Sequence, residues 1–328
     1  MMNVIHIFKN NFNRILAQKV VIIVAFIVVP IMIGLAVFFT GKTDIKGNIA
    51  FISNNEQSIP KDNRIKIDVI NKKPAISELL SGKYIAIVEE KTNGNYDITT
   101  LKNKNDEKIL KNFFKTGKIS ESKQVEKEKR GVGTNVLGFI LIILFMQGVA
   151  LITLYTEDRD KKIFKRVLTE PVSEKQYIFA HGIFTFLWLY IPSYLALVIT
   201  KVAFNVDIGF SYGMLAILIG ILCTLSTALA LFITTIIERN YSVVASGIYV
   251  ITCILSGCYI SFTGENTVLN KICSVLPQKS YMTLVQGIEK GHDLLEFKGQ
   301  FIYLLTWIVV LWILGSMITK RKIKQGMY

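Results

Sequence analysis

Six long apolar runs dominate the sequence and decide what the chain can fold into. A membrane helix needs about 20 apolar residues to cross roughly 30 Å of hydrocarbon. Because a backbone in lipid must satisfy its own hydrogen bonds, each run is predicted to be a membrane-spanning helix. The predicted fold class is an α-helical polytopic membrane protein with six transmembrane helices. The runs cover residues 20–40, 135–155, 178–201, 212–237, 242–262 and 300–319.

The residues before the first run follow a different pattern. Between residues 3 and 19, apolar side chains recur at helical spacing, and polar ones such as Lys9 and Arg14 lie between them. This spacing predicts an amphipathic helix lying on the cytoplasmic membrane surface. Residues 1–19 are therefore interpreted as a cytosolic amphipathic helix.

Residues 41–131 separate the first two runs and have the composition of a water-soluble domain. Short alternations of apolar and polar residues predict strands, with two short helices between them. The segment is interpreted as a small extracytoplasmic α+β domain, followed by a polar stalk at 120–130. The predicted strands are 49–52, 65–70, 84–88 and 96–101, and the predicted helices are 74–82 and 105–117.

Basic residues in the short loops set the predicted orientation. They concentrate in the N-terminal helix, the 156–177 loop, the 238–240 turn and the C-terminal tail, whereas the opposite short loops carry few. Short loops rich in Lys and Arg stay in the cytosol. Both termini are therefore predicted to be cytosolic. The 41–131 domain is predicted to lie outside, since long segments translocate largely regardless of charge.

The formal net charge of +14 does not indicate nucleic-acid binding. The excess comes from one Lys-rich segment and from loops beside the spans, without a basic stripe interleaved with exposed aromatics. Three histidines, and four cysteines without a CxxC pair, offer no metal-ligand spacing. Cys258 and Cys273 are both predicted near the outer face, and the sequence leaves a disulfide between them open.

The six runs contain no Asp, Glu, Lys or Arg away from their ends. Transporters driven by protons or sodium commonly use such a residue near the middle of the membrane. The chain is therefore predicted either to be moved by another subunit or to carry a substrate that needs no buried charge partner.

The loop between the second and third runs contains a short amphipathic helix. Its apolar face, at i, i+4 spacing, consists of Ile163, Phe164, Val167 and Leu168, and Pro171 ends it. Such a helix can insert into a groove on a partner protein. Contact with lipid headgroups explains the same pattern, and spacing alone does not separate the two interpretations.

Several segments, taken in chain order, resemble the permeases of the type-2 ABC (ABC-2) exporters. Residues 79–84 resemble the step into a strand of the outer domain that many of these permeases carry. The acidic residue after the second span, the basic-apolar helix and Pro171-Val172-Ser173 resemble the family's cytosolic loop. Residues 255–260 close the fifth span, and 276–277 with 281–287 resemble the outer re-entrant helices before the last span.

This resemblance implies a transmembrane subunit of an ATP-driven exporter, paired with a second permease copy or a sister permease. Cytosolic ABC ATPase subunits would bind ATP and magnesium, so this chain would hold no cofactor and hydrolyse nothing. The resemblance also implies that the amphipathic helix at 1–19 acts as a connector, that residues 159–169 form a coupling helix and that residues 263–299 form an outer re-entrant segment. The implied ATPase-coupling residues are Arg159, Ile163, Phe164, Lys165, Arg166, Val167 and Leu168, and the implied outer-gate residues are Gly257, Tyr259 and Pro277.

The apolar spans suit a hydrophobic or amphiphilic cargo, such as a peptide antibiotic, a drug or a lipid-linked molecule. The expected location is a bacterial plasma membrane, with membrane lipid around the spans. Two other interpretations stay open. One is a membrane sensor whose outer domain binds a ligand and signals through a cytosolic partner. The other is a passive channel or scaffold, although scattered polar residues such as Gln147 and Thr224 are more typical of helix–helix contacts.

Overall fold

The computed structural model divides the chain into two compact units. The first comprises Met1–Thr40 and Arg130–Tyr328, and the second comprises Gly41–Lys129. The residues that the structure describes are 4–41, 47–52, 65–70, 74, 78–79, 84–91, 95–100, 104–116, 130–161, 173–237, 239–259 and 267–325.

The described part of the first unit consists of helices joined by turns and short loops, and one helix among the described residues belongs to the second unit. In chain order the described helices are α1 (Val4–Ala17), α2 (Lys19–Ile23), α3 (Val29–Gly41), α4 (Lys104–Thr116), α5 (Val132–Asp160), α6 (Glu174–Ala203), α7 (Tyr212–Ile236), α8 (Tyr241–Leu255), α9 (Thr267–Cys273), α10 (Pro277–Glu289) and α11 (Lys298–Lys324).

Five helical segments among the described residues are long and apolar enough to cross a membrane. They correspond to five of the six predicted spans and agree with the predicted class of polytopic helical membrane protein. The remaining predicted span, 242–262, is too long, because the helix there ends at Leu255 after 15 residues. At 1.5 Å per residue α8 is about 22 Å long. The five segments are Lys19–Phe38, Val132–Asp160, Lys175–Ala203, Tyr212–Ile236 and Leu294–Lys322.

The first span is continuous but not uniformly α-helical. A π-helical turn, Val24–Val28, joins α2 to α3 immediately before Pro30. Proline has no backbone N–H and its ring clashes with the carbonyl four residues earlier. The wider turn relieves that clash without breaking the helix, which is a common way to accommodate proline.

Helix α5 is the central helix of the first unit, packed against α6, α7, α8 and α10. It continues to Asp160, five residues beyond the predicted end of the second span, and its side chains are buried along most of its length. Ser173 caps the next helix, α6, by accepting a hydrogen bond from the Gln176 backbone while the Gln176 side chain accepts one from Ser173. Such a capping box fixes where the third span begins.

A four-stranded sheet and one long helix form the second unit. The strands are β1 (Gly47–Ile52), β2 (Ile65–Val69), β3 (Ala86–Lys91) and β4 (Asn95–Thr100), in the order β2-β1-β3-β4. β1 runs parallel to β2 and β3, and β4 is antiparallel to β3.

Apolar side chains cover both faces of this sheet. On one face the rings of Phe51 and Phe114, the latter from α4, stack with centroids 5.2 Å apart. On the other face Tyr84 packs with Ala50 and Ile87. The third predicted strand was placed too early, since Tyr84 precedes β3. The predicted helix at 74–82 and the stalk at 120–130 lie largely outside the described residues.

The two ends of the first unit that lead to the second unit meet each other. The Asn135 side-chain amide donates a hydrogen bond to the Thr40 hydroxyl oxygen at 2.9 Å. Thr40 in turn donates to the carbonyl of Ala36 at 2.7 Å. The last turn of the first span is thereby bonded to the first turn of α5.

Candidate functional site

The loop between α5 and α6 was predicted to dock on a partner, and the structure describes both of its ends. Residues 162–172 lie outside the described residues, so the coupling roles of six residues stay predictions. Arg159, predicted as the first residue of a separate helix, lies instead in the last turn of α5. The residues that stay predictions are Ile163, Phe164, Lys165, Arg166, Val167 and Leu168.

An ion-pair cluster ties α1 to the start of this loop. The two terminal nitrogens of Arg14 contact Asp158 Oδ1 at 2.8 Å and Glu157 Oε2 at 2.9 Å. Asp158 is almost fully buried, whereas Glu157 is about one-third exposed. Burial alone would lower the pKa of the Arg14 guanidinium, but Asp158 and Glu157 outweigh it and raise that pKa. Arg14 is therefore charged at all physiological pH values.

Asp158 also connects the loop to the start of α6. Its second carboxylate oxygen accepts a short hydrogen bond from the Tyr177 hydroxyl. The Nε2 atom of His181 lies 3.8 Å from that oxygen, and the other ring nitrogen lies 3.2 Å from the Asn11 amide nitrogen. One buried carboxylate thus joins α1, α5 and α6 at the root of the loop. We name the group Asn11, Arg14, Asp158, Tyr177 and His181 the loop-end cluster.

Hydrogen bonds also join the end of α5 to the helices on its other sides. Arg159 is buried and donates a hydrogen bond to the Thr234 carbonyl of α7 at 3.1 Å. Tyr241 of α8 lies 2.8 Å from the Thr156 hydroxyl, and Tyr155 donates to the Thr319 hydroxyl of α11 at 3.2 Å. The end of α5 is therefore bonded to α7, α8 and α11 as well as to α1 and α6.

Aromatic contacts fix α1 on α6 over a longer stretch. The rings of Phe8 and Phe184 meet edge to face at 5.3 Å, and those of Phe12 and Trp188 at 6.1 Å. Edge-to-face pairs favour one ring orientation over others. Helix α1 is therefore a packed part of the first unit and has a fixed register on α6.

The predicted outer-gate residues lie at the opposite end of the first unit, which we call the far end. Gly257 adopts a positive φ of 73°. Its N–H donates to Ile254 and the Cys258 N–H donates to Cys253, both at 3.0 Å. These two bonds are the Schellman motif that ends α8, and its left-handed position favours glycine. The run of apolar letters after Leu255 therefore turns instead of continuing as a helix.

The structure describes the packing of the other two residues, Tyr259 and Pro277, and the gate role of all three stays a prediction. The Tyr259 ring packs edge to face on Phe139 of α5, with centroids 4.8 Å apart. Pro277 is buried at the first turn of α10, where its missing N–H has no helical partner to lose. Cys258 and Cys273 are free and buried, so the structure contains no disulfide between them.

Sequence reasoning missed Glu289, which caps the start of α5 from the end of α10. Its carboxylate accepts from the Gly133 N–H at 2.6 Å, from the Thr134 N–H at 3.0 Å and from the Thr134 hydroxyl at 2.5 Å. An acidic group at a helix N-terminus is favourable because it satisfies free N–H groups and the helix dipole. No local pattern reveals this pairing, since the partners are more than 150 positions apart.

No cluster of three or more His, Cys, Asp or Glu side chains suited to a metal occurs in the described part of the chain. The described residues of the site instead hold helix ends together: the loop-end cluster lies at one end of the buried helix α5, and the turn after α8 and the end of α10 pack at its other end. With five described helical segments long and apolar enough to cross a membrane, the fold is that of a polytopic helical membrane protein.

Comparison of the sequence with protein families identifies the family of this membrane protein. The family described as "ABC-2 family transporter protein" matches residues 17–317. The chain therefore belongs to the ABC-2 family of transporter proteins, which confirms the predicted resemblance, and it is the membrane subunit of an ABC transporter that works with an ABC ATPase. The match begins after most of α1, which contributes Arg14 and Asn11. A comparison with curated proteins finds no match.

Proposed function

We propose that this chain is the permease subunit of an ATP-driven exporter that moves a hydrophobic or amphiphilic cargo out of a bacterial cell. The observation that carries the proposal is the loop-end cluster, in which Asp158 bonds both Arg14 and Tyr177 at the root of the loop. A loop that only contacts lipid headgroups does not need its two ends joined to three helices. A loop that transmits force from a partner protein needs such a connection, because otherwise its displacement would not reach the helices.

The transport cycle follows from that connection. Closure of the partner ATPases on ATP and magnesium displaces the 162–172 loop. Helix α5 is continuous from Val132 to Asp160, so it moves as a rigid body and takes α1 and α6 with it. The motion reaches the far end, where α5 contacts the turn after α8 and the end of α10. Alternating access thus needs no titrating group in this chain.

The proposed class of cargo follows from the side chains that the membrane spans offer. The spans hold no charged residue at mid-membrane, so a permeant molecule finds apolar side chains and scattered hydroxyls. Peptide antibiotics, drugs and lipid-linked molecules fit that description. A second permease, either another copy or a sister chain, would complete the path. The termini and the loop would be cytosolic, and the unit Gly41–Lys129 would lie outside the plasma membrane.

A pull-down from gently solubilised membranes tests the coupling role. The tagged full-length chain, Phe164→Asp and Phe204→Asp are compared. Phe204 is an exposed phenylalanine at the end of α6 remote from the loop, so it provides a matched control. We expect the unmodified chain and Phe204→Asp to recover an ATPase with nucleotide-binding motifs, and Phe164→Asp to lose it.

The two other possible results of the pull-down would change the proposal in different ways. Recovery of the ATPase by all three proteins would retain the exporter and move the docking surface away from Phe164. Recovery by none of them, with the complex stable in the detergent, would contradict the exporter and favour the sensor interpretation.

A further inference from the structure

Arg130, at the far end, has a partly buried guanidinium group whose two terminal nitrogens differ in their contacts. Its Nη2 donates to the Cys258 carbonyl at 3.3 Å, whereas Nη1 is shielded from solvent and has no hydrogen-bond partner among the residues that the structure describes. Burial lowers the pKa of this guanidinium, which stays charged nonetheless. A desolvated cation without an anion is unfavourable, and native structures usually pair such groups.

Glu289, the acidic side chain whose charge acts on Arg130, does not fill this gap. Glu289 acts on Arg130 through its charge but forms no hydrogen bond with it. Both of its carboxylate oxygens accept from the start of α5, at Gly133 and Thr134. A carboxylate offers about four acceptor positions, and three are already used there.

A second cation lies close to Arg130. Lys279, in the first turn of α10, is partly buried, and burial lowers its pKa. Arg130 lowers that pKa further, because two neighbouring cations repel each other. The residue before α10, Leu276, provides no side-chain cap, so the positive end of the helix adds to the same field.

Exposed apolar side chains immediately precede the start of α10. Ile272 and Val275, which precede α10, are 65% and 60% exposed. A molecule with an anionic head and an apolar tail therefore has complementary surface for both of its parts.

We infer that Arg130, Lys279 and the uncapped start of α10 form a binding site for the phosphate or carboxylate group of an amphiphilic molecule. The ligand would satisfy Arg130 Nη1, and its tail would cover Ile272 and Val275. Two sources supply this chemistry, namely an anionic phospholipid resident at the site or the exported cargo. The cargo alternative rests on the proposed function, whereas the site itself rests on the geometry alone.

Direct titration of the purified full-length chain in a neutral detergent tests the site. Dodecyl phosphate is the probe, and monododecyl glycerol is the uncharged comparison. We expect the unmodified chain to bind the phosphate about 10-fold more tightly, as for a charge-assisted hydrogen bond. Arg130→Gln should abolish this preference, and Lys279→Gln should reduce it. Arg239→Gln, at an exposed arginine between α7 and α8, should leave it unchanged.

The melting temperature of each variant without ligand shows whether a loss of binding results from misfolding. Because Arg130→Gln removes a partly buried charge whose Nη1 has no described hydrogen-bond partner, its unliganded melting temperature should equal or exceed that of the unmodified chain. A full preference for dodecyl phosphate in both Arg130→Gln and Lys279→Gln would overturn the inference. A fall in the unliganded melting temperature of Arg130→Gln would also overturn it, since Arg130 would then be a structural residue.

Two further measurements identify the source of the anionic group. An anionic phospholipid that co-purifies with the unmodified chain and not with Arg130→Gln identifies a resident lipid. Stimulation of ATP hydrolysis by dodecyl phosphate, in the complex containing the unmodified chain only, identifies cargo. The titration uses no ATPase, so its failure would leave the exporter proposal intact. Failure of the pull-down would likewise leave this site intact.

Discussion

Arg14 and Asp158 lie 144 positions apart in the sequence and form an ion pair with 2.8 Å between Nη1 and Oδ1. The pair joins α1, the amphipathic helix before the first span, to the root of the predicted docking loop. Its position makes Arg14 both a stabilising residue and a candidate part of the coupling path.

Replacement of Arg14 by alanine should therefore destabilise the protein. The change leaves Asp158 buried without its cationic partner, which costs about 2 kcal/mol of unfolding free energy. Thermal unfolding in detergent measures the effect. Lys9→Ala, on an exposed position of the same helix, is the control and should have no effect. Equal melting temperatures for both variants would contradict the assigned role of the ion pair.

The two carboxylates that contact Arg14 should contribute differently to the stability of the folded protein. Asp158 is buried and also accepts from Tyr177, whereas Glu157 is about one-third exposed. Asp158→Asn is expected to lower the melting temperature clearly, and Glu157→Gln only slightly, since exposed ion pairs contribute about 0–1 kcal/mol. Addition of salt should weaken the Glu157 contribution more than that of Asp158. The reverse order of the two variants would contradict this assignment.

Close packing at the far end predicts a strong effect of a single methyl group. A Cβ atom on Gly138 would lie 2.1 Å from the Cys258 carbonyl oxygen, so α5 and the turn after α8 would have to separate. Gly138→Ala should cost about 1–3 kcal/mol. Gly247→Ala is the matched control, because a methyl group there meets nothing within 4 Å and alanine favours helix. Tolerance of Gly138→Ala at full stability would mean that this contact is loose.

The carboxylate cap on α5 can be tested by charge removal without a change of shape. Glu289→Gln weakens the bonds to Gly133 and Thr134 and removes the favourable interaction with the helix dipole, at a cost of about 1–2 kcal/mol. Glu296→Gln is the control, because the exposed Glu296 carboxylate contacts the ring of His292, four residues earlier. Unfolding in detergent should rank Glu289→Gln below both the unmodified protein and the control. Identical unfolding of the two variants would rule out a capping role.

Long elements were predictable from the sequence because their signal is local. Twenty apolar residues in a row have few alternatives to a membrane helix, and alternating residues in 41–131 marked the strands to within a few positions. The amphipathic pattern before Lys19 likewise predicted α1. These features depend on spacing within one segment and on no distant partner.

Boundaries and pairings were less predictable. Residues 256–262 are mostly apolar, so hydropathy extended α8 too far, although Gly257 was a usable signal for a C-terminal turn. The extension of α5 to Asp160 was missed because charged residues ended the apolar run at Tyr155. Neither the Arg14–Asp158 pair nor the Glu289 cap has a local pattern, since each joins residues more than 140 positions apart.

The hydrogen bond between Asn135 and Thr40 has a consequence for how this chain can vary. It joins the residue before the second unit to the residues just after it, so that unit is inserted at a place where the two chain ends are already adjacent. Domains inserted between adjacent ends can be exchanged, shortened or lost with little disturbance of their host. Residues 41–129 should therefore be replaceable or removable, in homologues as in engineered variants, while the helices of the first unit stay unchanged.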